Sequence, residues 1–168
     1  MASLPREAIA RARDFLVEPA SGGRSNRRPP LHTELGVLGL TTGCGATTLA
    51  RGLALWFEVE QPGRVRDFAT DELNRARDLA QRLDVLVLVA GPDTEPALAE
   101  IAAQMLCDDF RRLLLVANRV TDIPRWHDRA DICIPQSRLG AALVSRGRWP
   151  VGAFGAALRQ LSELVEAG

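Results

Sequence analysis

The chain has 168 residues, 46% of them hydrophobic and 25% charged, which suits one ordinary domain or one domain with an arm. All 21 basic side chains are arginine and there is no tyrosine, so Schiff-base lysine, lysine-base and tyrosine acid–base chemistry are excluded. The 21 acidic residues cancel the charge, which gives no global reason to expect nucleic acid or an anionic membrane as partner.

The longest apolar runs, residues 85–90 and 113–117, are far too short to cross a bilayer, and membrane contact is not expected. The N-terminal residues carry neither the charged start nor the apolar stretch of a secretory signal. Cys44, Cys107 and Cys133 are odd in number, scattered and without zinc spacing, so a cytoplasmic protein with reduced thiols is the expectation.

In chain order, residues 5–17 read as a short helix with Ser3 as its cap and Ile9, Ala12, Phe15 and Leu16 on one face. Residues 21–30 form a flexible basic linker in which Arg24, Arg27 and Arg28 read as solvated. Residues 1–33 are thus an arm, and residues 34–168 a shortened α/β domain. A β-run at 35–40 leads through a glycine-rich turn into a helix over about 46–57. A weak strand at 64–68 precedes a helix over 71–82, capped by Thr70, with Leu73, Ala76 or Arg77, Ala80 and Leu83 facing inward. The continuous apolar run 84–90 is a strand covered on both faces. A helix over 95–106, a buried strand over 112–117 and a short strand over 131–134 follow. Two helices, 138–146 and 153–166, close the chain, the last with Phe154, Leu158, Leu161 and Val165 as a packing stripe. This alternation predicts a mostly parallel sheet of about five strands with helices on both faces, three-layered and Rossmann-like.

The segment that carries chemistry is Gly36-Val-Leu-Gly-Leu-Thr-Thr-Gly-Cys-Gly-Ala-Thr-Thr-Leu-Ala50. A buried strand enters a Gly-x-Gly turn, and the turn opens a helix with two threonines in its first turn. Such glycines let backbone N–H groups approach an anion, and the helix start adds unpaired donors and the positive end of its dipole. The same glycines also serve a tight strand-to-helix turn with no ligand, and the residues alone leave both readings open.

Residues 41–48 resemble the deviant P-loop of the MinD/ParA family, usually Lys-Gly-Gly-Val-Gly-Lys-Thr-Thr. Thr41 and Ala46 stand in place of its two lysines, Thr42 at a glycine position and Leu40 at the opening glycine. Gly43, Gly45, Thr47 and Thr48 match, and the Gly-Ala-Thr-Thr core is similar to the CpaE/TadZ branch. Downstream, Leu113-Leu-Leu-Val-Ala-Asn118-Arg119 looks like the family's strand ending in Asn-Arg, where the asparagine reads adenine. Ile132-Cys-Ile-Pro135 looks like its Ile-Pro region beside the base.

The resemblance implies a P-loop-type fold and a site made of Thr42, Gly43, Cys44, Gly45, Ala46, Thr47, Thr48, Asn118, Arg119 and Pro135. It implies ATP or ADP as cofactor, with magnesium at Thr47. The departures imply weak or absent binding: both lysines are missing, and only Asp67 is left as a remnant of the acidic switches. Hydrolysis needs charge neutralisation and a positioned water, so no catalytic residue is assigned. Arg51 lies too far up the helix to reach back. A nucleophilic Cys44 has no base in sight, and His32 and His127 have no metal-ligand spacing. The expectation is a non-hydrolysing positioning or interaction module with a protein partner or a homodimer. One alternative is a hydrolase or phosphotransferase using backbone donors, Thr47 and an arginine in trans. The other is an interaction domain that docks a partner through the N-terminal helix.

Overall fold

The computed structural model describes residues 34–57, 63–121 and 123–167. The expected N-terminal helix and linker lie outside them. The chain divides into two units, Met1–Leu31 and His32–Gly168, and the fold is that of the second.

Five strands alternate with helices. They are β1 (Leu35–Gly39), β2 (Val65–Phe68), β3 (Val85–Ala90), β4 (Leu113–Val120) and β5 (Ile132–Pro135). The helices are α1 (Ala46–Phe57), α2 (Leu73–Asp78), α3 (Pro96–Leu106), α4 (Arg138–Ser145) and α5 (Gly152–Glu166), with a single 3-10 turn at Ile123–Trp126. Every strand pairing is parallel, and the order is β2-β1-β3-β4-β5. This is a doubly wound α/β arrangement, in which the chain reverses direction across the sheet between β1 and β3.

Strand alternation decides the layers. Val85, Val87 and Val89 of β3 point to one face, where Leu49 and Leu53 of α1 and Leu158, Leu161 and Val165 of α5 cover them. Leu86, Leu88 and Ala90 point to the other, against Ala76 of α2 and Ala99 and Leu106 of α3. All six β3 residues are buried, the reason the strand reads as an uninterrupted apolar run. The α1–α5 contact is close because Gly52 has no side chain; a Cβ there would lie 2.6 Å from Leu158 Cδ2. The expected stripe on α5 is core: Phe154, Leu158, Leu161 and Val165 are each at most 5% exposed.

Several local expectations are corrected. Thr70 caps no helix: α2 begins only at Leu73, and Glu72 precedes it with no side-chain cap. The Glu72 carboxylate instead accepts from Ala69 N–H at 2.9 Å and pairs with Arg75. Those contacts, the Ala69 bond foremost, hold its carboxyl below the usual range. β4 runs three residues beyond the expected end, because β5 continues to pair with it past a register shift at Asn118 and Val120. Trp126 is 3% exposed and belongs to the same core cluster as Leu115 and Ala117.

Both sheet edges are short strands of four residues, and β2 carries Arg66, paired with Glu34 at 3.2 Å, and the exposed Asp67. Charge on a short edge discourages pairing with another chain. On α3, Leu98, Ile101 and Met105 form an exposed apolar row. Among the described residues no helix is long and apolar enough to cross a membrane.

Leu158→Ala removes a fully buried side chain wedged against Gly52. Equilibrium urea unfolding is expected to show a loss of about 2–5 kcal/mol with the midpoint lowered.

Candidate functional site

β1 ends at Gly39, and Leu40 N–H still reaches Val89 O at 2.9 Å, so the chain leaves the sheet beside the tip of β3. Cys44 N–H then bonds Thr41 O at 3.2 Å, closing a tight turn. Gly43 and Gly45 adopt φ of 77° and 89°, in the left-handed region that costs other residues about 1–2 kcal/mol. Leu49 N–H bonds Gly45 O, which makes it the first bond of helical type. The amides of Ala46, Thr47 and Thr48 come before that ladder and carry the positive end of the α1 dipole.

Two consecutive residues of β4 hold this turn. Asn118 Nδ2 donates to Cys44 O at 2.8 Å from beneath, and Arg119 Nη1 donates to Gly43 O at 3.0 Å from the side. Asn118 is 2% exposed, and its Oδ1 has no hydrogen-bond partner. Gly45 sits so close above it that a Cβ would fall 2.4 Å from Asn118 Nδ2. Thr41 Oγ1 lies 3.5 Å from Thr94 Oγ1, and Thr94 Oγ1 accepts Gly91 N–H at 3.1 Å, which ties the turn to the loop after β3 as well.

A cleft of about 1040 Å³ opens over the turn, along the carboxyl ends of the strands. This is where doubly wound sheets place ligands. Thr42, Gly43, Cys44, Gly45, Ala46, Thr47, Thr48, Asn118 and Arg119 all line it, so nine of the ten positions named from sequence share one cleft. Pro135 closes β5 opposite Val120, and the three residues after it, Gln136, Ser137 and Arg138, line the cleft in its place.

The remaining candidates separate clearly. Cys44 lines the cleft but its side chain is core, 3% exposed with the apolar residues under α1, and it is not presented as a nucleophile. Asp67 is exposed on the edge strand, in register with Val37, and does not line the cleft; Asp71 does. Arg51 is exposed on α1 and is not a lining residue. His127 is exposed and pairs with Asp128 at 2.8 Å.

Asp71, Arg138, Gln136 and Ser137 were missed by reading motifs. Their signal was positional: each lies within three residues of the end of a strand in a parallel sheet, and all such strand ends converge on one edge. Electrostatically the cleft has two arginines, Arg119 and Arg138, against one carboxylate, Asp71. Neither arginine has a carboxylate partner among the described residues. No group of three or more His, Cys, Asp or Glu able to hold a metal occurs among them either.

No protein-family model, curated protein or solved structure matches this chain. The chain is a parallel α/β protein. Its five-stranded sheet has Rossmann-like layering, with the cleft at the carboxyl edge.

Two measurements check this geometry. Gly43→Ala meets nothing within 4 Å of its Cβ and is expected to cost about 1–2 kcal/mol of unfolding free energy from backbone strain. Gly45→Ala must also displace Asn118 and is expected to cost at least about 1 kcal/mol more. The thiols should also differ under alkylation followed by mass spectrometry. Cys107 is exposed and is expected to react first. Cys44 is buried, and desolvation pushes the Cys133 thiol up, which lowers its reactive thiolate fraction. Cys44 is expected to stay protected until urea unfolds the domain, and the half-buried Cys133 to react more slowly than Cys107.

Proposed function

We propose that this chain is a degenerate relative of the MinD/ParA P-loop proteins, acting as a positioning or interaction module whose cleft binds an anion without hydrolysing it. The observation that carries the reading is the glycine turn at the mouth of α1, clamped by Asn118 and Arg119 and open to a cleft with more arginine than carboxylate. Backbone N–H groups at a helix start, with glycines that permit close approach, make an anion cradle. In the resemblance, ATP or ADP would occupy it, with the phosphates over residues 43–48 and Thr47 facing a magnesium ion.

The chemistry beyond binding is thin. Neither lysine of the family's turn is present, and the one acid on the cleft, Asp71, stands alone without a second carboxylate to orient a water. Transfer of a phosphoryl group needs both charge neutralisation and a placed nucleophile. The hydrolase alternative gains the two cleft arginines, which lie within this chain instead of arriving in trans, but it gains no base. The interaction half of the reading is supported by the apolar row Leu98, Ile101 and Met105, none of which lines the cleft. A protein partner or a second copy of the chain is the proposed counterpart.

Calorimetric titration of ATP, ADP and GTP with magnesium, paired with a phosphate-release assay, tests the reading. The expected result is binding weaker than low micromolar and no steady phosphate release. A low-micromolar dissociation constant with continuous release would overturn it.

A further inference from the structure

Charge is divided between the two helix layers that cover the sheet. Residues 93–109, which include α3, carry five acids and no base. Three of those acids are neutralised from other segments, Glu95 by Arg125, Glu100 by Arg129 and Asp109 by Arg77. Asp93 and Asp108, exposed beyond the two ends of α3, join no ion pair among the described residues. The other layer is the opposite. α1 packs on both α4 and α5, and these helices with the loop before α5 carry Arg51, Arg138, Arg146, Arg148 and Arg159, all exposed. None of the five is in an ion pair among the described residues. The described acids of this layer are Glu163 and Glu166, and Glu166 already accepts Trp56 Nε1–H at 2.8 Å.

Exposed apolar side chains fall on the same two layers. Leu98, Ile101 and Met105 recur about one turn apart along α3, between its two unpaired acids. Leu139 of α4 and Val151, just before α5, follow Arg138 and Arg148 within three residues. No other large apolar side chain stands exposed among the described residues.

Two-fold pairing of either layer opposes like charges. α3 laid on a second α3, in either direction, sets acid against acid, and the arginine layer laid on itself sets cation against cation. The layer of one copy against the opposite layer of another matches apolar row with apolar residues and free acid with free arginine. Pairing through the sheet edge is discouraged by the short charged strand β2.

We propose that copies of this chain associate head to tail, the α3 layer of one seated on the α1–α4–α5 layer of the next. The two layers lie on opposite faces of the sheet, so the contact is heterologous and each pair keeps a free layer at both ends for further copies. This rests on the interaction half of the reading above, names the second copy as the partner, and needs no ligand in the cleft.

Sedimentation equilibrium of the full chain from micromolar to millimolar concentration tests it. The mean mass is expected to rise past two chains without levelling there. Raising the salt from about 0.1 M to about 1 M shortens the screening length from about 10 Å to about 3 Å and is expected to return the mass toward one chain. Arg51→Glu/Arg148→Glu and Ile101→Gln/Met105→Gln are each expected to remain single chains. An equimolar mixture of the two variants retains one intact layer on each and is expected to level at two chains. All four changed side chains are exposed, so both variants are expected to melt at the parent's temperature. The parent's response to concentration and salt stands whether or not a variant folds. A parent that stays a single chain, levels at two chains, or grows equally well at high salt overturns the inference, and so does growth that survives either variant or a mixture that stays monomeric. Retention of single chains on phosphatidylserine vesicles, lost with Arg51→Glu/Arg148→Glu, gives the arginine layer to a lipid surface and overturns it too. None of these outcomes touches anion binding in the cleft, which calorimetry reads separately.

Discussion

The bond from Asn118 to the Cys44 carbonyl is the contact on which the site depends. It joins the end of β4 to the turn after β1 across the intervening strand β3 and fixes the height of the turn above the sheet. Gly45 can pass over Asn118 only because it carries no side chain. The start of α1 follows from that height, and with it the direction in which its first amides point. The core beneath is ordinary for a parallel sheet, with apolar β3 sealed on both faces. Polar contacts close both ends of the strands: Asp84 accepts from Glu34 N–H and Arg111 at the amino ends, and Asn118 and Arg119 hold the turn at the carboxyl ends, where backbone groups leaving the sheet need partners.

An all-arginine chain has a particular electrostatic behaviour in such a place. Guanidinium stays charged at every pH a cell reaches and presents a planar fork suited to phosphate, whereas a buried lysine can lose its proton. The cleft's positive charge is therefore fixed, and only a ligand's own ionisation can change the attraction across neutral pH. A lysine-free turn also shifts the division of labour. Charge that a turn lysine would bring to its own loop enters instead from β4 and α4, elements far away in sequence.

Much of the architecture was legible in the residues. The run 85–90 announced a strand covered on both sides, the stripe on α5 announced its buried face, and residues 46–57 gave α1 to the residue. The turn and the pair Asn118 and Arg119 could be singled out because glycine spacing and a strand-end polar pair are local signals. What stayed hidden depended mostly on long-range partners; Thr70 is the local exception, a residue that looks like a cap although the helix begins only at Leu73. The length of β4 is set by β5, which no local pattern in β4 records. Arg138 reads as a solvated helix residue until the sheet order brings the loop after β5 to the same edge as the turn.

The left-handed residue at Arg119 carries one more implication. In a regular strand, neighbouring side chains go to opposite faces, so Asn118 and Arg119 would be separated by the thickness of the sheet. The φ of 62° and the register shift between Asn118 and Val120 break that rule at a single residue. Both side chains consequently address the same loop, one as a peg under it and one as a latch beside it. A strand irregularity that looks like a pairing fault is thus what allows two adjacent codons to build both the floor and the wall of one cavity.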